Sequence, residues 1–429
     1  MNRIAEASLI LGSAVLAALG VAIANLSSGG SVDAQVALTF VSFVVAWGGL
    51  WVTVRRLTPG ANPYLLPLAA ILSAVGITEV YRLNPSLGSL QRWWLIAAAA
   101  LGSLTILWLR DGTAVLRRYR YLLLLGGVLL LMAPLLPGSW PLGGVTVNGS
   151  RLWLRLNLWG DSSFQFQPGE VGKLALVVFF ASYLAERRQA LMQVHRKVAN
   201  LELPEPRQLM PLVVAWLASL IVMVYQRDLG ASLLLFAVFM AMLYMATGQG
   251  VFPLAGVGLF GIGTFGAFQA FSHVQRRYNA WIAPFDDFEG AGYQIAQSLF
   301  AMGSGSIAGS GIGLGRPDLI PSAATDFIFA AIAEETGFVG AVGVLVGFAL
   351  LVAAGFGIAV RSRDPFRKLL AAGITTVIGV QAVIIIGGVT RLLPLTGITL
   401  PFMSYGGSSL LSNTVALSIL LVISQEEHR

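Results

Sequence analysis

Roughly twelve apolar runs, each near the ~20 residues that cross the hydrocarbon core of a bilayer, succeed one another along this chain. They lie near residues 8–26, 35–54, 64–81, 92–109, 120–137, 168–186, 209–225, 229–247, 251–272, 327–359, 367–390 and 402–424. Charged residues make up only 11% of the chain against 56% hydrophobic, too few to solvate a globule, so an ordinary soluble fold is excluded. The fold class expected is an all-α polytopic membrane protein of about twelve transmembrane helices, because a backbone in lipid must satisfy its own hydrogen bonds. The runs fill most of the chain and leave no separate soluble domain. The first follows Arg3 with no clear small-residue cleavage site, so it reads as a retained span.

Sorting the basic residues by loop gives an orientation. With the N-terminus cytoplasmic, the inside segments hold Arg55 and Arg56, the group Arg110, Arg117, Arg118 and Arg120, the cations of the 187–208 loop, and Arg361, Arg363, Arg367 and Lys368. That bias follows the positive-inside rule, so the net charge of +7 reports topology and not nucleic-acid binding. Both termini are then cytoplasmic, and the long loops at 138–167 and 273–326 face outward. The chain has no cysteine, which removes disulfide and thiol chemistry; His195, His273 and His428 are too scattered to suggest a zinc site.

The 273–326 loop is too long for a connector and reads as functional. Ile295, Leu299 and Met302 recur at i, i+4 and i+7, predicting an amphipathic helix over 291–302. Gly303, Gly305, Gly309, Gly311, Gly313 and Gly315 follow, a run that permits positive φ or close backbone approach to a ligand, or else a flexible turn. The loop ends in Thr325-Asp326-Phe327-Ile328-Phe329, one carboxylate against apolar neighbours. Such surroundings raise a carboxyl pKa towards the range of a general base. On a continuing helix Glu334 would lie about 80° around from Asp326 and Glu335 on the opposite face, making Glu334 the better second polar wall.

Other ionisable residues sit where lipid disfavours them. Glu170 and Lys173 occupy i and i+3 at the outer start of the sixth run, on one helix face, either a functional site or an ion pair that only orients helices. Arg151 and Trp153 pair a cation able to grip phosphate with an indole that could equally be an interface anchor. Gln226-Arg227-Asp228-Leu229-Gly230 reads as a tight outer turn with a local charge pair, or as the wall of a phosphate cavity. The acids Asp286, Asp287, Glu289 and Asp318 sit among Pro and Gly and read as solvated.

From about residue 64 to 425 these segments resemble, in ordered succession, the shape, elongation, division and sporulation family of bacterial cell-wall polymerases. The resemblance runs through Gln91-Arg92-Trp93-Trp94, Gly149-Ser150-Arg151-Leu152-Trp153, Phe166-Gln167-Pro168-Gly169-Glu170, Arg227-Asp228-Leu229-Gly230, Gly292-Tyr293-Gln294, the Asp326 segment with Glu334-Glu335, and Pro401-Phe402-Met403-Ser404-Tyr405-Gly406-Gly407. It implies a peptidoglycan glycosyltransferase that polymerises lipid II at the outer face of the cytoplasmic membrane, for elongation or division, beside a class B penicillin-binding protein. The family's essential loop aspartate falls on Asp326, its membrane Glu and Lys on Glu170 and Lys173, and its loop Trp on Trp153. A family core of about ten spans makes residues 1–60 a two-helix addition and 61–429 the glycosyltransferase core, with 273–326 as its catalytic loop. Many members have His where this chain has Ala324, and septation members often have Lys where it has Thr396, which leans towards the elongation branch or towards the longer forms of actinobacteria-like lineages.

The mechanism implied has Asp326 take the proton of a GlcNAc 4-hydroxyl as it attacks the anomeric carbon of an undecaprenyl-diphosphate-linked donor, with inversion. One carboxylate suffices because diphosphate leaves without a general acid, unlike the two-carboxyl glycosidases. Arg151, Lys173 and Arg227, with Arg316 and Arg391 in reserve, are candidates to stabilise the leaving diphosphate, and Trp153 and Gln294 to bind substrate. No cofactor and no metal-ligand cluster is evident, although a divalent cation could share that task. Two rival functions use the same surface: a lipid II flippase and a noncatalytic scaffold of the cell-wall machinery.

Overall fold

The computed structural model describes residues 3–140, 142–147, 150–157, 163–192, 196–198, 201–203 and 206–427; Gly149, His195 and His428 lie outside them. In chain order come α1 (Arg3–Ser27), α2 (Ala34–Phe43), a π turn (Val44–Gly48), α3 (Gly49–Leu57), α4 (Leu65–Leu83), α5 (Pro85–Trp108), α6 (Ala114–Arg118) and α7 (Arg120–Met132). A sheet of β1 (Leu142–Val147), β2 (Ser150–Asn157) and β3 (Ser163–Phe166) precedes α8 (Gly169–Met192), and β4 (Arg196–Val198) with β5 (Leu201–Leu203) precedes α9 (Pro206–Tyr225). Then follow α10 (Leu229–Thr247), α11 (Val251–Ala270), α12 (Ser272–Ile282), α13 (Tyr293–Gly305), α14 (Ile328–Arg361), α15 (Pro365–Val389) and α16 (Gly407–Glu426).

Every apolar run identified in the sequence is helical. Among the described residues nine helices are long and apolar enough to cross a membrane, α2 and α3 counting as one through the π turn. The expected spans at 120–137 and 209–225 are shorter apolar helices. The one at 168–186 is a 24-residue helix carrying Glu170, Lys173, Glu186, Arg187 and Arg188. Local chemistry sets the element ends. Asn84 closes the turn from α4 to α5 by accepting from the amides of Ser86 and Leu87 at 3.0 and 3.1 Å, with Pro85 supplying a helical φ at the first position.

Two features depart from the helical expectation. The 138–167 segment is not a plain loop: β1, β2 and β3 form an antiparallel sheet in that order, with Val145 opposite Trp153 and Leu154 opposite Phe166. The long run at 327–359 is not one continuous helix, because α14 is interrupted at Gly337, where φ 68° and ψ −170° leave the helical region.

The chain forms two compact units. The first draws on Met1–Arg110, Phe265–Gly355 and Gln381–His428. Its helices approach closely at glycines: Gly20 of α1 faces Thr78 of α4, Gly76 of α4 faces the backbone of Met403, and Gly407 faces the Trp94 ring of α5, leaving no space for a Cβ. The second unit draws on Asp111–Thr264 and Phe356–Val380. There Gly127 of α7 and Gly172 of α8 bring their backbones together, and the rings of Phe180, Phe239 and Trp216 form a chain with centroids 5.2 and 5.4 Å apart. Small residues at such contacts let helices approach within van der Waals range, which is what drives association in lipid.

Candidate functional site

In the first unit Asp326 ends a turn that feeds α14. The amides of Thr325, Asp326 and Phe327 all point to the carbonyl of Ser322, whose own φ is 61°. Phe327, Ile328 and Phe329 are buried, which anchors the turn on its apolar side. A second loop clasps it: the Tyr405 amide donates to the Ala324 carbonyl at 2.8 Å, and the Ser404 hydroxyl donates to that of Thr325. Gly397, at φ 74°, packs beside it, and a Cβ there would meet Oδ2 of Asp326 at van der Waals distance, 3.6 Å. Burial pushes the Asp326 carboxyl from its ordinary 3.8 up to about 6, and the Thr325 hydrogen bond and the Arg277 charge oppose this only in part.

Arg277 was not apparent from the sequence, where it is one of two adjacent arginines at the start of a long loop. In the structure it lies on α12 and donates to the carbonyls of Leu395 and Thr396, beside Gly397. Arg391 is committed otherwise: its guanidinium donates to the carbonyls of Trp281 and Ile282, and the Trp281 indole returns a bond to the Arg391 carbonyl. That makes it a strut between the end of α12 and the loop after α15. Gln294 is half-buried on the first turn of α13, whose Ile295 faces the interior as the amphipathic pattern required.

The glycine run packs against protein. Amides of Ser310 and Gly311 donate to the carbonyls of Glu334 and Glu335, and amides of Phe338 and Val339 donate to the carbonyls of Ser306 and Ile307. The run thereby satisfies both helix ends created by the break at Gly337. Gly309, Gly311 and Gly313 have positive φ, and Cβ atoms at Gly305 and Gly309 would collide with the α14 backbone. Glu334 and Glu335 are both buried, although the angular argument placed them on different faces. Glu335 accepts from Arg82 at 2.7 Å and from the Gly313 amide at 3.0 Å, and Glu334 accepts from the Arg316 amide at 2.7 Å. The exposed side chain of Arg316 contributes nothing to that contact. Glu79, three residues before Arg82, is buried nearby with Oε1 lacking a hydrogen bond. Two charges at i and i+3 inside an apolar run were the overlooked signal.

In the second unit the sheet, the end of α7 and the turn between α9 and α10 converge. The Arg151 amide donates to the Gln226 carbonyl at 3.4 Å, its guanidinium donates to the Leu136 carbonyl at 2.9 Å, and its buried Nε has no partner. Strand alternation puts Trp153 and Arg155 on the same face as Arg151, so Arg155 joins the candidates. The expected Arg227–Asp228 pair resolves into two roles. Asp228 caps α10 through the Ala231 amide at 2.9 Å, and Arg227 adopts φ 61° with an exposed side chain. Lys173 bonds Glu170 at 2.9 Å in the first turn of α8, both side chains buried, as the i, i+3 spacing required. Among the described residues no group of three or more His, Asp or Glu is arranged to hold a metal ion.

A family model described as "Cell cycle protein", that of FtsW, RodA and SpoVE, matches residues 58–429. The chain belongs to this family. It is 39% identical to the peptidoglycan glycosyltransferase RodA of Mycobacterium tuberculosis, over 100% of this chain and 92% of that protein. Stage V sporulation protein E of Bacillus subtilis is 35% identical over 72% of this chain and 80% of its own length. Among solved structures, RodA of Thermus thermophilus aligns with a TM-score of 0.58 at 25% identity, over 86% of this chain and 98% of that one. A chain from a structure of a peptidoglycan synthase complex aligns at 0.66 with 24% identity, over 86% and 99%. Ala324 holds Tyr405 through its carbonyl, and buried Thr396 accepts from Arg277 through its own.

Proposed function

We propose that this chain is an inverting peptidoglycan glycosyltransferase that polymerises lipid II at the outer face of the cytoplasmic membrane, with Asp326 as general base. The observation that carries the reading is the Asp326 turn: a carboxyl on a turn clasped by the loop between α15 and α16, raised to about 6 by burial, in a chain 39% identical along its whole length to a peptidoglycan glycosyltransferase. A base with that pKa is ionised at neutral pH yet basic enough to accept a hydroxyl proton in the transition state. The anomeric carbon gains the bond to the GlcNAc 4-oxygen and loses the bond to diphosphate, while the proton passes to Asp326.

Arg151, Arg227 and Lys173 are the proposed stabilisers of the departing diphosphate, with Trp153 and Gln294 as substrate contacts; Arg316 is the least favoured because its amide alone is engaged with Glu334. No step is routed through a divalent cation. Residues 1–60 are read as an addition to the family core, the termini as cytoplasmic, and a class B penicillin-binding protein as the partner that cross-links the product. The test is polymerisation of lipid II by purified protein. Asp326→Asn is expected to make no polymer while remaining folded, and near-normal polymer from it would remove Asp326 from the mechanism. Supplying lipid II on the outer leaflet alone separates the polymerase from a flippase, which would make no glycan.

A further inference from the structure

The second unit carries a basic concavity of about 490 Å³ that the glycosyl-transfer reading leaves unused, lined by Ala114, Arg117, Arg118, Arg120, Tyr121 and Glu186. Three arginines face one glutamate there. Arg120 is ion-paired with Glu186 and sits 4.9 Å over the Tyr121 ring, which fixes one wall. Arg117 and Arg118 are exposed, and neither has an ion pair among the described residues. Arg118 lies 5.7 Å over the Tyr119 ring.

An apolar stripe begins in the wall of this concavity. Tyr121, Leu122, Leu125, Leu129 and Met132 of α7 are 57%, 64%, 58%, 56% and 45% exposed. At about 100° per residue they fall within a sector roughly 100° wide, so they form one ribbon along the helix. The positive-inside rule explains why arginines lie at this end of α7, but not why they enclose a recess at the head of an apolar ribbon. We infer that this recess and ribbon form a binding site for an anionic diacyl phospholipid, the phosphodiester held by Arg117 and Arg118 and an acyl chain lying along Tyr121, Leu125 and Leu129. Guanidinium groups suit phosphate oxygens through paired N–H donors, and basic recesses between membrane helices are recurrent headgroup sites.

The test is native mass spectrometry of the full chain in detergent, titrated with phosphatidylglycerol or phosphatidylcholine of matched acyl chains. Phosphatidylglycerol should bind more tightly, and Arg117→Ala/Arg118→Ala should weaken it by about 25-fold, near fivefold per charge. Arg117→Lys/Arg118→Lys should recover only part of the affinity, because an ammonium keeps the charge and loses the paired donors, and Leu125→Ser should weaken both lipids. Glycan synthesis by the variants in phosphatidylcholine vesicles reports that they are folded. Equal binding of the two lipids by the unmodified chain, or unchanged affinity in the alanine variant, overturns the site. Competition by inorganic phosphate at concentrations matching the lipid would instead assign the recess to a soluble anion and overturn the lipid reading.

Discussion

Asp326 and Glu170 are both carboxylates beside apolar helices, and burial has been answered differently in each. Glu170 has Lys173 at 2.9 Å, one helical turn away, so the charge is neutralised by its own element. Asp326 is left with a carboxyl raised to about 6, which the Thr325 hydrogen bond and the Arg277 charge correct only in part. A carboxyl displaced towards neutrality is poised for proton transfer. On the proposed mechanism the Glu170–Lys173 pair serves electrostatics and Asp326 takes the proton.

The strongest way to break this contrast is Asp326→Asn, expected to lower lipid II polymerisation by at least about 100-fold, the scale of general-base catalysis. The same variant should not lose thermal stability. Because the folded pKa lies above the ordinary value, the neutral carboxyl contributes stability below pH 3.8, and that contribution is lost as pH rises through about 6. An uncharged amide keeps it, so a lower melting temperature at pH 7 would count against the burial argument.

Next in size are Glu170→Ala and Lys173→Ala, each expected to cost about 3–5 kcal/mol in unfolding measurements by stranding a buried charge. Glu170→Leu/Lys173→Met should cost less than either single change, and a larger loss would show the pair to be more than mutually neutralising. Gly397→Ala should cost about 1 kcal/mol through its positive φ, read in unfolding measurements. The finest test is the pH–rate profile. Its acidic limb should fall near 6, and Arg277→Met should move that limb upward by removing a cation that favours ionised Asp326.

Much of this was legible in the residues. The apolar runs all became helices, the amphipathic pattern at 291–302 became α13, and the i, i+3 spacing of Glu170 and Lys173 became a bond. The sheet was written in the alternation Arg151, Leu152, Trp153, Leu154, Arg155, a period-2 signal hidden inside a segment judged only by its length. The break in α14 had a cue as well, since a run of more than 30 residues exceeds what one crossing needs. The glycine run invited a ligand and instead received α14, because both readings require the same backbone freedom.

Sequence alone determined where the helices lie and that Asp326 stands among apolar neighbours, because helix length and side-chain transfer energies are local properties. The tertiary structure decided the rest: that Glu335 meets Arg82, that Gly337 opens α14 to amides and carbonyls of residues 306–311, and that Arg277 and Gly397 close on Asp326. Those contacts join segments far apart in the chain. Their partners are chosen by which backbones can approach closely enough to satisfy buried polar groups, and no local pattern encodes that choice.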